Sequence, residues 1–328
     1  MINILIFRTD RIGDLIVTCP AIVTLKKNFI DSKITLVSSK RNHQYAKSLG
    51  IFDEIICYPE GILKKILFIK NIYKKKFDYI FIYDGKERSI LISAFIKSDC
   101  KIAITQKKKL FFSLLNIQFF IDSEKTNLNT LFQDTFDYCN IKKSVGNYDF
   151  LLKKDDNGFS LNIPASEYLH IHLDEKWFNE LYIKNYTNIK PDYNNFTNFL
   201  DSLLEKNNIV ITTGIVDFNL VDDLKVKYFT KKIDNIYTKK KKNNFIYFII
   251  KPTFDDLESL LRKAKTLISC HGAITHASNS FGVKKIDILE YKRKLFYKKF
   301  TSYLKDYHPV YREPFTNLSM KILNLLKE

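Results

Sequence analysis

The chain has 328 residues, of which 45% are hydrophobic and 14% aromatic, and its formal net charge is +17. This composition excludes a disordered chain and predicts two domains of about 150 residues, each large enough to bury its own core. Lysine supplies most of the positive charge, which fits a membrane surface with anionic lipid, a phosphorylated acceptor or nucleic acid, or simply a solvated surface.

The cysteines are odd in number, widely spaced and never in a C-x-x-C pair; they are Cys19, Cys57, Cys100, Cys139 and Cys270. This pattern indicates a reducing compartment, with no disulfide framework and no zinc cluster. The chain begins directly with a predicted strand, and no apolar run approaches the ~18 residues of a membrane span. We therefore expect a cytoplasmic protein, at most peripheral to the inner membrane.

The first predicted strand, at residues 4–7, leads into an unusually polar turn with the sequence Arg8-Thr9-Asp10-Arg11-Ile12-Gly13-Asp14. An amphipathic helix follows, and Pro20 is expected to kink it or restart it one turn in. In a parallel sheet the carboxyl ends of the strands face the ligand crevice. The turn is therefore predicted to lie at the ligand-facing edge of the first domain.

Regular alternation of strands and helices continues to about residue 104, which predicts a parallel sheet covered on both faces. Asp84 follows one of these strands, and it either contacts a ligand or caps the next helix. A helix at 126–139 closes the first domain. The predicted strands are at 33–37, 54–58, 79–83 and 101–104, and the predicted helices at 44–49, 63–73 and 87–95.

The second half repeats this pattern after a polar linker at 153–165. Its predicted strands are at 168–172, 209–212 and 245–250, and its helices at 177–183, 196–205, 216–224 and 255–264. Residues 230–244 are lysine-rich and are predicted to form a mobile surface loop. The fold class is therefore α/β, with two doubly wound Rossmann-like domains facing a cleft. We place the domains at 1–158 and 159–314, with a C-terminal helix at 315–328 packing across the junction.

Residues 266–289 form one tight βαβ step around the turn His271-Gly272-Ala273, with a short helix that ends at Gly282. A helix that starts at a strand's carboxyl end presents unpaired N–H groups, which suit a phosphate or diphosphate. His271 and His276 could both reach that end of the helix. The alternative is a tight turn and a purely structural histidine.

Several site classes are absent from the sequence. There is no G-x-G-x-x-G, no G-x-x-x-x-G-K-[ST], no zinc-ligand spacing and no G-x-S-x-G, which disfavours dehydrogenases, P-loop NTPases, zinc enzymes and α/β-hydrolases. His170 and His172 face the same side of a strand and could pair on a metal. Packing at the strand end is the favoured interpretation because no carboxylates accompany them, and we predict neither a metal nor a cofactor.

The polar strand ends suit group transfer from a nucleotide-activated donor. A carboxylate on one side of the cleft would deprotonate the acceptor hydroxyl, while a lysine and a helix terminus on the other would steady the leaving diphosphate. The residues concerned are 8–14 and Asp84 in the first domain, and 172–176, 213–214 and 271–276 in the second.

Residues 4–8 and 13–21 resemble the N-terminal signature of glycosyltransferase family 9, the ADP-heptose:lipopolysaccharide heptosyltransferases. Residues 78–85, 172–177 and 276–283 are similar to its later landmarks, in the same order. The resemblance implies a GT-B fold and an inverting, metal-independent transfer. It also implies an acceptor on the first domain, a nucleotide sugar on the second, a catalytic base at Asp14 and a phosphate-contacting lysine at Lys176.

On this resemblance the partners are a nucleotide-sugar donor, by default ADP-heptose, and a glycan or glycolipid acceptor such as a lipopolysaccharide core; no specific nucleic acid is expected. The expected donor-binding residues are His172, Lys176, Thr213, Gly214, His271, Gly272, Ala273 and His276. The expected acceptor-side residues are Arg8, Arg11, Gly13, Asp84 and Lys86.

Two segments depart from the family pattern. His271-Gly272-Ala273 replaces Asp-Thr-Gly, and Leu173-Asp174-Glu175 replaces a turn that contains glycine. Both lie on the donor side. The alternative function is therefore a non-catalytic GT-B-like protein that binds glycan or lipid through a degenerate donor site.

Overall fold

The computed structural model describes residues 1–107, 115–142, 149–153, 163 and 167–327. The chain divides into two compact units, Met1–Lys154 with Lys298–Ser302, and Asp155–Tyr297 with Tyr303–Glu328. Most of the predicted linker at 153–165 lies outside the described residues.

The described part of the first unit contains one sheet in which every neighbouring pair of strands is parallel. Its strands are β1 (Ile2–Arg8), β2 (Ser32–Ser38), β3 (Glu54–Cys57), β4 (Lys76–Ile82), β5 (Lys97–Thr105) and β6 (Gln118–Ile121). Its helices are α1 (Ile12–Asn28), α2 (Lys40–Ser48), α3 (Ile62–Tyr73), α4 (Glu87–Ala94) and α5 (Leu128–Tyr138).

The strand order is β3-β2-β1-β4-β5-β6, which is the Rossmann order. β1 lies inside the sheet because its apolar residues face helices on both sides, and Ile4 through Phe7 are fully buried. The order reverses between β1 and β4, so the turns that follow these two strands meet at one crevice. The first polar turn therefore lies at the carboxyl edge of this sheet, where the strand order reverses.

The second unit contains a larger sheet with the order β14-β13-β12-β7-β8-β11-β10-β9. The strands are β7 (Tyr168–Leu173), β8 (Ile209–Thr213), β9 (Thr230–Ile233), β10 (Ile236–Lys241), β11 (Asn244–Ile249), β12 (Ala264–Cys270), β13 (Lys284–Leu289) and β14 (Tyr307–Tyr311). The remaining helices are α6 (Tyr193–Leu204), α7 (Asn219–Lys227), α8 (Phe254–Leu261), α9 (Ala273–Ser278), α10 (Lys294–Thr301) and α11 (Phe315–Leu325).

Here the order reverses between β7 and β12, which are parallel neighbours. The turns after these strands, Asp174–Lys176 and His271–Ala273, therefore meet at the second crevice. β8 flanks β7 on its other side and brings Gly214 to the same edge. The sheet thus assembles three turns that are far apart in the sequence.

Of the two effects predicted for Pro20, a kink or a restart, the restart does not occur: α1 continues through Pro20, since packing of its buried residues from Leu15 to Leu25 overrides the missing N–H. Two further local predictions are wrong. The lysine-rich stretch at 230–244 is the antiparallel hairpin β9–β10, paired with β11, and Lys239 and Lys241 form ion pairs with acids on α6 or just after it. The predicted helix at 177–183 is two short 3-10 turns.

The last helix and Trp177 share one core. The Trp177 ring is fully buried, its indole N–H donates to the His172 carbonyl at 2.9 Å, and its ring packs against Phe196 and Phe315. Phe315, Leu318 and Ile322 of α11 belong to the same buried cluster. The buried face of this tail completes the core of the second unit.

Candidate functional site

Arg8 organises the polar turn after β1. Its side chain is buried, its Nε donates to the Asp14 carbonyl at 2.9 Å, and its guanidinium also donates to the Tyr83 carbonyl. The guanidinium lies 3.3 Å from Oδ2 of Asp10 and 3.8 Å from Oδ1 of Asp14. A planar guanidinium bound to several fixed acceptors has few alternative orientations. Arg8 therefore holds the start of α1 against the end of β4.

Asp14 lies in the first turn of α1, directly after Gly13. Its Oδ2 accepts from the backbone N–H of Arg11 at 3.2 Å, as the acidic half of a capping box. Its side chain is 41% exposed, whereas that of Asp10 is 19% exposed. Asp14 is therefore the carboxylate of this turn that an incoming molecule can reach.

Asp10 is engaged within the turn. It lies 2.5 Å from Nζ of Lys86, which also donates to the Thr9 carbonyl at 2.6 Å. Burial raises the pKa of Asp10 above its ordinary value, although the Arg8 charge opposes this shift. Asp10 therefore partly neutralises the charges of Arg8 and Lys86, and it holds the Lys86 side chain across the crevice.

Asp84 ties the two turns of the first unit together. It accepts from the Thr9 hydroxyl at 2.6 Å, the Ser89 hydroxyl at 2.7 Å and the Lys86 N–H at 3.2 Å. The N-cap residue of α4 is Lys86, so the N-cap alternative for Asp84 is wrong. The structure places the predicted acceptor-side residues Arg8, Arg11, Gly13, Asp84 and Lys86 around these two turns.

A buried ion pair forms the centre of the second crevice. Nζ of Lys176 lies 2.6 Å from Oδ2 of Asp174, and the side chains are only 16% and 5% exposed. Burial opposes the charge on the lysine, but the Asp174 carboxylate raises the pKa of Lys176 above its ordinary value. The lysine is therefore a fixed cation at neutral pH.

Two glycines make room for this pair. A Cβ placed on Gly272 would collide with Nζ of Lys176, and a Cβ on Gly214 would lie 2.8 Å from Cβ of Asp174. Gly272 has extended backbone angles that any residue can adopt, so the requirement there is space and not conformation. The turns after β8 and β12 thus enclose the ion pair at the end of β7.

His271 is held by a buried acid. Its Nδ1 lies 2.7 Å from Oδ2 of Asp287, which is fully buried and also accepts hydrogen bonds from Thr275 and Tyr307. A carboxylate at Nδ1 fixes the orientation of the imidazole and leaves Nε2 for another partner. His271 is therefore positioned as a hydrogen-bonding group beside Lys176.

The other predicted histidines have partners within the protein, and Nε2 of His172 also lies 3.6 Å from Oδ2 of Asp174. Nδ1 of His276 lies 2.7 Å from the Tyr303 hydroxyl, and His170 and His172 each lie 2.9 Å from the hydroxyl of Thr212. Among the described residues, no group of three or more His, Cys, Asp or Glu side chains is arranged to hold a metal ion.

Two further residues are predicted to bind the donor. The Thr213 hydroxyl accepts from the N–H of Lys251 at 2.9 Å, and Ala273 is the first residue of α9.

A pocket opens beside Lys176 and His271 and contains a buried arginine. Nε and Nη1 of Arg312 donate to the carbonyls of Thr187 and Lys176, at 2.8 and 2.5 Å, but Nη2 is buried without a partner among the described residues. An unsatisfied buried donor is costly, so it indicates a group that binds there. The pocket is lined by Lys176, Tyr182, Tyr186, Cys270, His271, Ile288, Glu290, Tyr297 and Arg312.

Sequence reasoning missed Asp287, Arg312 and the role of Asp174. Asp287 has a visible signal, because it is an isolated acid in the apolar strand β13. Arg312 follows β14, a short strand that the sequence pattern does not reveal. Asp174 lies within the predicted polar strand end at 172–176, but its pairing with Lys176 depends on the geometry of the turn between them.

Stability should fall as the pH falls below about 6.5. Burial lowers the pKa of His170 and of His172 to about 3, and that of His276 well below 6.5. The unfolded chain then binds more protons than the folded one, so each histidine removes up to ~1.4 kcal/mol of unfolding free energy per pH unit. Urea titrations at pH 7.5, 6.5 and 5.5 measure this slope.

The His276→Asn variant provides the control for this experiment. Its slope should be shallower by about a third, since one of three comparable groups is gone. An unfolding free energy that stays constant from pH 7.5 to 5.5 in the wild-type protein would show that these histidines are not buried in their neutral form.

Gly272→Ala should destabilise the protein by about 1–3 kcal/mol through its contact with Lys176. In a Lys176→Ala background the same change should cost much less, because the colliding ammonium is absent. A double-mutant cycle on the urea unfolding free energy should give a coupling above ~1 kcal/mol.

Gly50→Ala is the control, since no atom lies within 4 Å of its added Cβ. The loss of unfolding free energy that it causes should not depend on Lys176. Additive costs for Gly272→Ala and Lys176→Ala would exclude the contact.

No protein-family model matches the chain, and no curated protein matches it. Solved structures do match over its whole length. The E. coli heptosyltransferase WaaC with ADP has a TM-score of 0.68 at 12% identity and 99% coverage of both chains. A glycosyl transferase family 9 protein from Veillonella parvula has a TM-score of 0.65 at 15% identity, with 99% of this chain and 89% of that chain covered.

The UDP-GlcNAc 2-epimerase from Methanocaldococcus jannaschii is also similar, with a TM-score of 0.58 at 15% identity, covering 100% of this chain and 92% of that one. At these identities the likeness establishes the fold. The chain therefore has the GT-B fold of two Rossmann-like units, in the form found in the family 9 heptosyltransferases, as its sequence predicts.

Proposed function

We propose that the protein is a glycosyltransferase that moves a sugar from a nucleotide-diphosphate sugar to a hydroxyl of a lipopolysaccharide core or another surface glycan. The observation that carries the proposal is the Lys176 ammonium, held by Asp174 where the strand order of the second sheet reverses. The chain as a whole has the fold of the heptosyltransferases. The default donor is ADP-heptose, because the WaaC structures are described with ADP and with an ADP-heptose analogue.

The donor side would bind the diphosphate through Lys176 and the turn at Gly272. The ammonium is buried and charged, so its attraction to phosphate is weakly screened by water. His271, oriented by Asp287, offers a second hydrogen bond to the same group. As the bond to the sugar breaks, these residues would stabilise the negative charge that develops on the leaving diphosphate.

Arg312 would complete the donor pocket. Arg312 lines the same pocket as Lys176, and its Nη2 is buried without a partner among the described residues, so we expect it to donate to a phosphate or sugar oxygen. The hydroxyls of Tyr186 and Tyr297, 3.0 Å apart, lie at the same pocket and suit a polyhydroxylated ligand. Glu290, also at this pocket, already accepts from the backbone N–H groups of Thr187 and Lys292 and fixes the adjoining loop.

Asp14 would act as the general base. The acceptor hydroxyl gives its proton to the Asp14 carboxylate while its oxygen forms the new bond to the anomeric carbon and the bond to the diphosphate breaks. Attack opposite the leaving group inverts the anomeric configuration. Arg8 keeps the carboxylate in place, and Arg11 and Lys86 supply cations for an acidic acceptor.

One observation favours the alternative of a non-catalytic GT-B-like binding protein. Asp174 already pairs with Lys176, so a diphosphate must share or displace that carboxylate. Such a protein would bind glycan or lipid while its donor pocket stays closed to nucleotides. Measuring nucleotide binding separates the two functions.

The test is a thermal-shift titration of the protein with ADP, UDP, GDP and CMP. A nucleotide at 100 times its dissociation constant stabilises the fold by ~2.7 kcal/mol, which is readily detected. We expect one diphosphate to raise the melting temperature in the wild-type protein and not in Lys176→Met. Val226→Ser, at an 80% exposed position, should respond like the wild type. Silence across the panel would favour the non-catalytic protein.

A further inference from the structure

Helix α3 exposes a continuous apolar face. Ile62 and Leu63 are 77% and 78% exposed, and Ile66 and Leu67 are 56% and 58% exposed. Residues three and four positions apart are neighbours on one side of a helix. Ile62 with Ile66, Leu63 with Leu67 and Leu63 with Ile66 are such pairs, so the four side chains form a single stripe. Large apolar side chains that are clustered and exposed in this way mark a contact surface more often than scattered ones do.

The fold does not need this face. The opposite side of α3 already packs onto the sheet, because Phe68 and Ile72 are buried in the core cluster of the first unit. A helix with one apolar side in the core and a second one in water has more apolar surface than its packing requires. The outer face is therefore available for another partner.

Free cations surround the stripe. Lys64, Lys65, Lys70 and Lys74 lie in α3 or directly after it, and none forms an ion pair with a described residue. In contrast, Lys75 and Lys76, just beyond the helix, pair with Glu54 and Asp99. Residues 62–76 contain no Asp or Glu. Glu60 just before the helix interacts with the charges of Lys64 and Lys65, while no acid among the described residues forms an ion pair with Lys70 or Lys74. The surface therefore combines apolar side chains with a local excess of positive charge.

The neighbouring helix extends the same surface. In α4, Leu91 is 40% exposed, and Phe95 directly after this helix is 66% exposed. Ile90 of α4 and Phe68 of α3 belong to one core cluster, so the two helices cover the same face of the sheet. Nζ of Lys97 lies 5.9 Å from the ring of Tyr73, which connects the ends of the two helices.

We propose that α3, together with the end of α4, is a docking surface for an anionic phospholipid bilayer. The apolar stripe would enter the region between headgroups and acyl chains, and the lysines would contact the anionic headgroups. A second copy of the chain fits less well, because a symmetric contact through this face would bring like charges together. The proposal does not depend on the transferase activity, since it concerns a separate surface of the first unit.

Vesicle flotation tests the proposal with the full-length protein. We expect binding to vesicles of phosphatidylcholine mixed with phosphatidylglycerol, much weaker binding to phosphatidylcholine alone, and a decrease with added salt. Each lysine near an anionic surface contributes about 5-fold, so Lys70→Gln with Lys74→Gln should lower the partition coefficient about 30-fold. Leu63→Ser with Leu67→Ser should lower it by at least as much.

Matched controls come from other exposed positions. Val226→Ser with Ile30→Ser removes apolar side chains that are 80% and 90% exposed, and Lys231→Gln with Lys232→Gln removes two exposed hairpin lysines. These variants should bind vesicles like the wild type. Equal losses in the controls, or unchanged binding in the α3 variants, would overturn the proposal. So would a dimer in sedimentation equilibrium that the leucine variant abolishes while vesicle binding is absent in the wild type.

Discussion

The pair between Lys176 and Asp174 is the interaction on which the second unit's site depends. A buried ammonium and carboxylate are tolerated only when each has its partner and enough space. Gly272 supplies the space beside the lysine, and Gly214 supplies it beside the aspartate. The two segments that differ from the heptosyltransferase pattern therefore contact one another: the turn after β7 carries Asp174 and Lys176, and the turn after β12 carries Gly272 beside that lysine.

The first unit uses the same principle with an arginine. Arg8 reaches from the end of β1 to the turn after β4 and lies next to the carboxylates of both Asp10 and Asp14. Asp10 pairs with Lys86, whereas Asp14 is exposed to solvent. In both units the fixed charge lies where the strand order reverses. That is where a doubly wound sheet leaves a crevice without helices across it.

The elements that position the site were largely predictable, because their signals are local. Alternation of buried strands and amphipathic helices predicts a parallel sheet in each unit. In the first unit the point where the strand order reverses holds residues 8–14 and 84–86, and in the second unit it holds residues 174–176 and 271–273. The β9–β10 hairpin was not predictable, since its lysines look like a solvated loop until they pair with acids near α6. Contacts such as His271 with Asp287, or Arg312 with its pocket, depend on register between separate strands, which no local pattern encodes.

The most direct test of the account is the rate of ADP release from ADP-heptose in the presence of a lipopolysaccharide core acceptor that lacks heptose. Removing a general base should slow turnover about 10²–10⁴-fold, so Asp14→Asn should lose activity while still binding ADP. Asp10→Asn, which removes the engaged carboxylate of the same turn, should lose much less. Turnover retained in Asp14→Asn, or a greater loss in Asp10→Asn, would contradict the assignment of Asp14 as the base.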